Sequence, residues 1–214
     1  MSKRTLTRAA RREAPAERRE GGPGLEDARR RRLLDAALAT FLRYGFRKTS
    51  MEEVARAGQL SRQALYLHFA TKEELFGAAV RHFLQTGLEA ASLALESESL
   101  PLEAQLGGAF DAWVGRYVGL LGGDVSDLHQ ASLELVGPLI QEHEERFVER
   151  VARAIRSSGL PAAYRAAGIS ARQLAETLAA TARGLKHDAA SRAEFGERFS
   201  IAVRALCLPL RERS

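Results

Sequence analysis

The stretch from Lys48 to Leu75 constrains the fold of this chain more than any other, and it reads KTSMEEVARAGQLSRQALYLHFATKEEL. Thr49 and Ser50 are each followed three residues later by a glutamate, so either can form a capping box at the start of a helix. A Gly-Gln-Leu segment at 58–60 interrupts that helix, and the next serine can cap a second one. Two short capped helices joined by a tight turn are the layout of a helix-turn-helix.

The apolar residues of the two short helices recur at helical spacing. Leu65 and Phe69 on the second helix lie four residues apart, so they are expected to point into a core. The outward face of this second helix is therefore largely polar. It carries Arg62, Gln63, Ala64, Tyr66 and His68.

Over roughly residues 26 to 80, the chain resembles the DNA-binding domain of TetR-family transcriptional repressors. The family pattern runs Thr, apolar-Ala, a Gly turn, Ser, Tyr-x-His/Tyr-Phe and Lys-Glu. It is matched by Thr49, Val54-Ala55, Gly58, Ser61, Tyr66-Leu67-His68-Phe69 and Lys72-Glu73. The resemblance implies an all-α fold, in which a three-helix DNA-binding domain precedes a helical ligand-binding and dimerisation domain.

One position departs from the family pattern, which usually places Ala-Gly where this chain has Gly58-Gln59. If the turn needs a left-handed residue at 59, the glutamine is strained by about 1 kcal/mol or more. The alternative is that Gly58 absorbs the change of direction.

Positive charge is concentrated at the N-terminus. Residues 1–32 hold eleven Lys and Arg against five Asp and Glu, whereas the whole chain has a net charge of only +5. Residues 1–24 are too polar to bury a core and are predicted to form a disordered basic arm. Four arginines follow in the first turns of a helix, where the helix dipole disfavours cations, so we expect them to bind phosphates or enter a minor groove. They are Arg29, Arg30, Arg31 and Arg32. A merely solubilising tail is the alternative.

With 214 residues, the chain has room for a DNA-binding domain at 25–72 and a larger domain at 73–214. Helical spacing predicts about nine helices, and no segment has the alternation of a strand. The fifth helix is predicted to run from Pro101 to the glycines at 122–123, the sixth from Asp124 to Val136, and the seventh from Pro138 onward. The glycines within the fifth helix indicate either close packing or local looseness.

DNA recognition divides into contacts that specify sequence and contacts that position the protein. Arg62, Gln63 and Ala64 occupy the first turn of the second short helix, which is the part of a recognition helix that enters the major groove. Arginine suits guanine, glutamine suits adenine, and alanine can approach a thymine methyl group. An ordinary solvated face is the alternative.

Phosphate contacts are expected around that helix. The resemblance implies them for Tyr66, His68 and Lys72, although His68 can instead be a rim residue that packs on the core. Helix N-termini favour anions, and the loop before the motif is basic. These features add Arg47, Lys48, Thr49, Ser50 and Ser61.

The resemblance also implies an effector pocket in the larger domain. Its candidate lining residues are Phe83, Phe110, Trp113, Tyr117 and His129, with core packing as the alternative for each aromatic ring. Long apolar stripes mark the last two helices, which begin after Ser170 and Ser191, and we expect them to pair with a second copy of the chain. The predicted interface residues are Leu174, Leu178, Phe199, Val203 and Leu206.

These features predict a ligand-responsive regulator, a repressor that binds a palindromic DNA operator as a homodimer and is released by an unknown small molecule. A helical-bundle enzyme is the main alternative, but a di-metal bundle needs Glu-x-x-His pairs and none of the five histidines has a glutamate three residues earlier. A non-DNA-binding adaptor would not need the polar recognition face. We therefore expect no catalytic residues, no metal and no cofactor. Without an apolar run of membrane-spanning length, the protein is expected to be cytoplasmic and to have no membrane partner.

Overall fold

A computed structural model describes residues 23–119 and 125–211, and in these residues it contains helices and turns but no strand. None of their helices is long and apolar enough to cross a membrane. The helices are α1 Pro23–Tyr44, α2 Met51–Ala57, α3 Arg62–His68, α4 Lys72–Leu95, α5 Leu102–Trp113, α6 Val125–Ser157, α7 Leu160–Tyr164, α8 Ala171–Asp188 and α9 Arg192–Arg211, with short 3-10 turns at Gly115–Tyr117 and Arg165–Ala167.

The first three helices and the start of α4 form a compact unit around the helix-turn-helix, called here the DNA-binding unit after its predicted role. Ser50 and Ser61 each accept a hydrogen bond from a backbone N–H of the helix that follows, as the sequence predicts, and Thr71 does the same for α4. Their core includes a cluster of three rings, in which Phe76 lies 5.1 Å from Phe41 and 5.2 Å from Phe46 between ring centres. The all-α fold and the helix-turn-helix are confirmed.

The fifth helix is shorter than predicted. It ends at Trp113 and is followed by the 3-10 turn. At Gly115, a Cβ would lie 2.5 Å from the Asp111 carboxylate, so this glycine permits a close approach. Gly119 has a φ of +80°, a left-handed conformation that favours glycine. The helix therefore ends well before the glycines at 122–123, which lie outside the described residues.

The predicted break at Pro138 is wrong, since α6 passes through it without interruption. A proline inside a helix costs about 3 kcal/mol through its missing N–H and its clash with the preceding turn. Here Pro138 is exposed, so water can reach the carbonyl that loses its partner, while Val136 and Phe147 bury both halves of α6 in one core. The short α7 was not predicted. The nine helices of the described residues therefore match the expected number through two compensating errors.

The last two helices begin where their serine caps predict, but their apolar stripes serve the subunit itself. Leu174, Leu178, Phe199 and Val203 are each 5% exposed or less within a single chain. Phe199 packs on Phe110 of α5, with ring centres 4.6 Å apart. The interface predicted at these four residues is therefore wrong, since they have almost no surface to offer a second subunit.

Leu206, the fifth predicted interface residue, is half-buried. Its carbonyl accepts a hydrogen bond from the Tyr164 hydroxyl at 2.8 Å. One apolar cluster runs from Leu33 in α1 to Cys207 in α9. The domain boundary at residue 72 stays a prediction, because the core continues across it.

Candidate DNA-binding face and effector cavity

The two central residues of the turn between α2 and α3, Gly58 and Gln59, differ in backbone conformation and in the space around them. Gly58 has an ordinary φ of −81°, but a Cβ there would lie 2.7 Å from Leu33 Cδ1. Gln59 takes the left-handed conformation with φ 56°. Of the two possibilities open from the sequence, the structure thus adopts the strained one. A side chain at residue 58 would press on Leu33 of α1. The left-handed conformation of Gln59 costs about 1–2 kcal/mol of stability.

Helix α3 presents the predicted polar face to solvent. Arg62, Gln63 and His68 are exposed, Ala64 is half-buried, and the Arg62 guanidinium lies 5.5 Å from the ring centre of Tyr66 one turn later. The structure therefore brings the predicted base-contacting residues together at one end of an accessible helix. Their contact with bases stays a prediction.

Sequence reasoning gave no role to Leu67, the most exposed large apolar residue of this face. Its side chain is 82% exposed, and it lies four residues after Gln63 on the same side of α3. The available signal was an apolar residue at a position whose helical neighbours all face outward.

The loop between α1 and α2 is held from inside. Thr49 is buried, and its hydroxyl donates to the Gly45 carbonyl at 2.7 Å. Lys72 Nζ donates to the Phe46 carbonyl at 3.0 Å and lies 4.5 Å from the centre of the Phe46 ring. The Thr49 hydroxyl is therefore not available to a phosphate, and a phosphate contact through the backbone N–H of Thr49 stays a prediction. The Lys72 ammonium already binds the Phe46 carbonyl inside the molecule, so a phosphate would have to bind it together with that carbonyl.

Ser50 and Ser61 cap α2 and α3 in different ways. The Ser50 hydroxyl and amide both donate to the Glu53 carboxylate at 2.8 Å, and these hydrogen bonds lower the pKa of Glu53. Ser61 is exposed and accepts from the Ala64 amide at 3.1 Å. Ser61 is therefore the better placed of the two for a phosphate, since both Ser50 donors already serve a carboxylate.

The four arginines of α1 are exposed but do not all point the same way. Arg29, Arg30 and Arg32 line a groove that also contains His68 at the end of α3. Arg31 instead donates through Nε to a carbonyl one turn earlier in α1, at 3.3 Å. Helix α1 already begins at Pro23, within the predicted arm, and the predicted arm residues 1–22 lie outside the described residues. The groove, which Glu26 and Asp27 also line, joins the first turns of α1 to the end of α3.

A cavity of about 320 Å³ lies between α1, α4, α5, α6 and α8. Phe83, Phe110, Trp113 and Tyr117, four of the predicted pocket residues, line it. Core packing and lining are not exclusive, because Phe110 is fully buried and also faces this space. The side chain of His129 lies outside the described part of the structure. Ligand binding by these residues stays a prediction.

Sequence reasoning missed the charged residues of the cavity. Arg183 and Lys186 reach it from α8, and Glu144 from α6. The Lys186 ammonium lies 5.6 Å from the centre of the Tyr117 ring. Burial lowers the pKa of Lys186 while Glu144 acts in the opposite direction, and burial raises the pKa of the Tyr117 phenol. Charges on an amphipathic helix usually face water, so their spacing alone gave no signal.

One wall of the cavity belongs to the DNA-binding unit. Leu38 and Leu42 of α1 lie one turn apart on this wall, and Phe76 of α4 completes it. Phe76 is also a member of the three-ring cluster under the helix-turn-helix. A molecule in the cavity would therefore touch the core that positions α2 and α3.

A second connection runs through α4 at Phe83. The Arg116 guanidinium lies 3.4 Å from the centre of the Phe83 ring and donates to the Phe83 carbonyl at 2.9 Å. Tyr117 meets the same ring edge-on at 4.6 Å. The preceding residue, His82, places its Nε2 atom 3.3 Å from Asp35 of α1. Adjacent residues of α4 thus contact the cavity wall and the DNA-binding unit.

Comparisons with known proteins find a family that matches the helix-turn-helix region and relatives that match longer parts of the chain. Residues 33–79 match the family of bacterial regulatory proteins described as the tetR family. The HTH-type transcriptional regulator TcmR of Streptomyces glaucescens is 34% identical over 143 residues, which are 63% of this chain and 62% of that protein. The HTH-type transcriptional repressor KstR2 of Mycobacterium tuberculosis is 35% identical over 89 residues, or 42% of this chain and 44% of that protein. The chain thus matches less than two thirds of either relative.

Among solved structures, a putative TetR-family transcriptional regulator from Mesorhizobium loti aligns with a TM-score of 0.59 at 21% identity, covering 85% of this chain and 96% of that one. This likeness shows the fold. An exposed polar helix after a tight turn, ahead of a larger helical body, defines a helix-turn-helix protein of the DNA-binding class. Residues 33–79, which contain this helix-turn-helix, match the TetR family, and the two relatives are transcriptional regulators with the same type of motif.

Proposed function

We propose that this chain is a ligand-responsive transcriptional regulator, a cytoplasmic repressor that binds a palindromic operator as a homodimer and is released by a small molecule. The shared cavity is the observation that carries the proposal. Charged residues of α8 and the two leucines of α1 line the same space, so one occupant would touch both parts of the molecule. The regulator and repressor among its relatives support the same function.

On the DNA side, the first turn of α3 reads bases. Arg62 is suited to guanine and Gln63 to adenine, while the half-buried Ala64 permits close approach. We add Leu67 to this set, because its exposed side chain shares a face with Gln63 and can contact a thymine methyl group.

Contacts with phosphates fix the position of α3 in the groove. Tyr66, Ser61 and His68 are exposed on or beside α3, and Arg47 and Lys48 are exposed in the loop that Lys72 holds. On the other side, the arginines of α1 border the groove that ends at His68. Together with the N-terminal arm, they would supply the part of the affinity that depends on salt.

The homodimer contact is placed on the outer face of α8 and α9. Ile201 and Leu208, two turns apart on α9, are 60% and 52% exposed. On α8 the exposed residues Thr177, Ala180 and Gly184 are small and follow helical spacing. A two-fold-related copy packed on this face would bury an apolar stripe that the subunit leaves open, and small residues allow close helix approach.

Release follows if the effector binds better to the conformation in which the two recognition helices do not fit the operator. A ligand in the cavity could displace the DNA-binding unit at two places. One is the α1 wall at Leu38 and Leu42, and the other is Phe83 of α4, which Arg116 contacts. Both lie next to the core of the DNA-binding unit, so a shift at either point would move α3.

Random-site selection on double-stranded DNA, followed by footprinting, tests the proposal. The expected result is a two-fold-symmetric site whose half-sites lie about one helical turn, or a multiple of it, apart. Failure to enrich any sequence would contradict operator binding. Enrichment of a single asymmetric half-site would contradict the homodimer while leaving DNA binding intact.

A further inference from the structure

We infer that the effector is a compact, largely apolar organic molecule that carries one anionic group, which Lys186 and Arg183 bind. This inference rests on the proposed function, since it takes the cavity between α1 and α8 to be the effector site. A volume of about 320 Å³ lies near the lower end of the range for ligand pockets, about 300–1,000 Å³. The occupant must therefore be small.

The charged side chains around the cavity indicate the sign of the charge that the ligand carries. Its described lining residues include two cations, Arg183 and Lys186, and a single carboxylate, Glu144. Lys186 is half-buried, so enclosing it under a neutral ligand would remove water from an ammonium and offer nothing in return. If the ligand carries one anionic group, that group and the Glu144 carboxylate together balance the charges of Arg183 and Lys186.

The remaining lining residues determine the body of the ligand. Rings and aliphatic side chains form most of the wall between the α8 cations and α1. They include Phe83, Trp113, Phe147, Leu128, Ile140 and Leu38. An apolar body that extends from the cations to the leucines of α1 would fill this space and reach the DNA-binding unit.

The chain contains a single tryptophan, Trp113, and it lines the cavity. Energy transfer from this residue to a fluorescent probe therefore reports binding near the cavity, and the substitutions in the cavity lining test whether the cavity itself is the site. Two probes with the same ring system make a matched pair: the anion anilinonaphthalene sulfonate and its neutral analogue phenylnaphthylamine. We expect both to accept energy from Trp113 in the full-length protein.

The sulfonate should bind the wild-type protein about tenfold more tightly, although the neutral probe is the more apolar of the two. Lys186→Gln should remove about that tenfold preference by weakening the sulfonate alone. Glu144→Gln should act in the opposite direction and tighten the sulfonate, because a repelling carboxylate is lost. Arg165→Gln, a matched change of charge at an exposed residue outside the cavity lining, should change neither probe.

The outcomes separate this inference from the function on which it rests. Equal or tighter binding of the neutral probe, or equal weakening of both probes by Lys186→Gln, overturns the anionic ligand and leaves the cavity as an effector site. Absence of energy transfer from Trp113 to either probe overturns the cavity itself as a ligand site. Thermal melting of each variant identifies any loss of folding, and the opposite sign expected for Glu144→Gln does not arise from unfolding.

Discussion

The DNA-binding unit and the larger domain differ in how they are specified. In the unit, short helices begin at Ser50 and Ser61, and each start depends on a hydrogen bond between neighbours in the sequence. In the larger domain, long helices are joined by distant packing, such as that of Phe199 on Phe110. Local chemistry thus determines where a helix begins, but the partner of an apolar face depends on the whole fold.

Helix α9 illustrates the second case, because it carries apolar residues on two faces. Val203 on the inner face is 2% exposed, whereas Ile201 on the outer face is 60% exposed. The strong inner stripe predicts burial, and burial is what the structure shows. The covering surface is α5, α7 and α8 of the same subunit rather than a second copy.

The largest effect is expected from a charge on the inner face of α9. Val203→Glu would bury a carboxylate without a partner, which costs several kcal/mol, so we expect loss of folding. Ile201→Glu on the outer face should leave the subunit folded but convert the proposed dimer to monomers and weaken binding to the proposed operator. Circular dichroism melting and sedimentation separate the two results.

A folded dimer with Ile201→Glu would place the interface elsewhere on the molecule. A folded monomer with Val203→Glu would return the inner stripe to the interface between subunits. Glu197→Gln, an exposed change earlier on the same helix, should alter neither folding nor assembly.

Pro138 shows why part of the fold could not be predicted. Its local preference is to begin or break a helix, and α6 continues through it because buried residues on both sides belong to one core. Ser170 and Ser191, by contrast, start α8 and α9 where the sequence predicts, since the hydrogen bonds that cap these helices are local.

The candidate sites divide in the same way. The outward residues of α3 follow from helical spacing within seven residues, so Arg62 and Gln63 could be placed from the sequence alone. The cavity brings together Glu144 and Lys186 from helices far apart in the chain, and no local pattern reports such a meeting. The Thr49 hydroxyl shows a third case, because a hydroxyl that suits a helix N-terminus donates instead to the Gly45 carbonyl inside the loop.

A smaller effect is expected at the recognition helix. Arg62→Ala should weaken binding by about 1–3 kcal/mol and relax preference at one base step, since its side chain lies in the first turn of α3. Lys72→Ala should weaken all operator variants alike, through lost phosphate contact and through release of the loop at Phe46. Titration of a panel of single-base operator variants distinguishes the two patterns. Uniform loss with Arg62→Ala would show that it contacts only phosphates.

Deletion of residues 1–22 tests whether the basic arm acts with the α1 arginines. These residues carry seven Lys and Arg against three Glu, so we expect affinity to fall by about tenfold at low salt, with a shallower dependence of log K on log salt. Sequence preference should stay unchanged, because counterion release is independent of base sequence. Operator titrations at several salt concentrations measure this slope, and an identical slope would reduce the arm to a passive extension.

The smallest effect is expected at Gln59, the one non-glycine residue with a positive φ in residues 23–119 and 125–211. Gln59→Gly should relieve about 1–2 kcal/mol of left-handed strain, and the added freedom of the unfolded chain should offset about 0.4–1 kcal/mol of it. The net result is a protein more stable by up to about 1.6 kcal/mol, with a midpoint of about 0.8 kcal/mol, in thermal or denaturant unfolding. Gln59→Ala keeps the Cβ and should bring no such gain, so it separates strain from loss of the side chain. Gly58→Ala should destabilise, because its Cβ would press on Leu33. If Gln59→Gly and Gln59→Ala shift stability equally, the turn is not strained at 59, and local chemistry specifies the DNA-binding unit there as well.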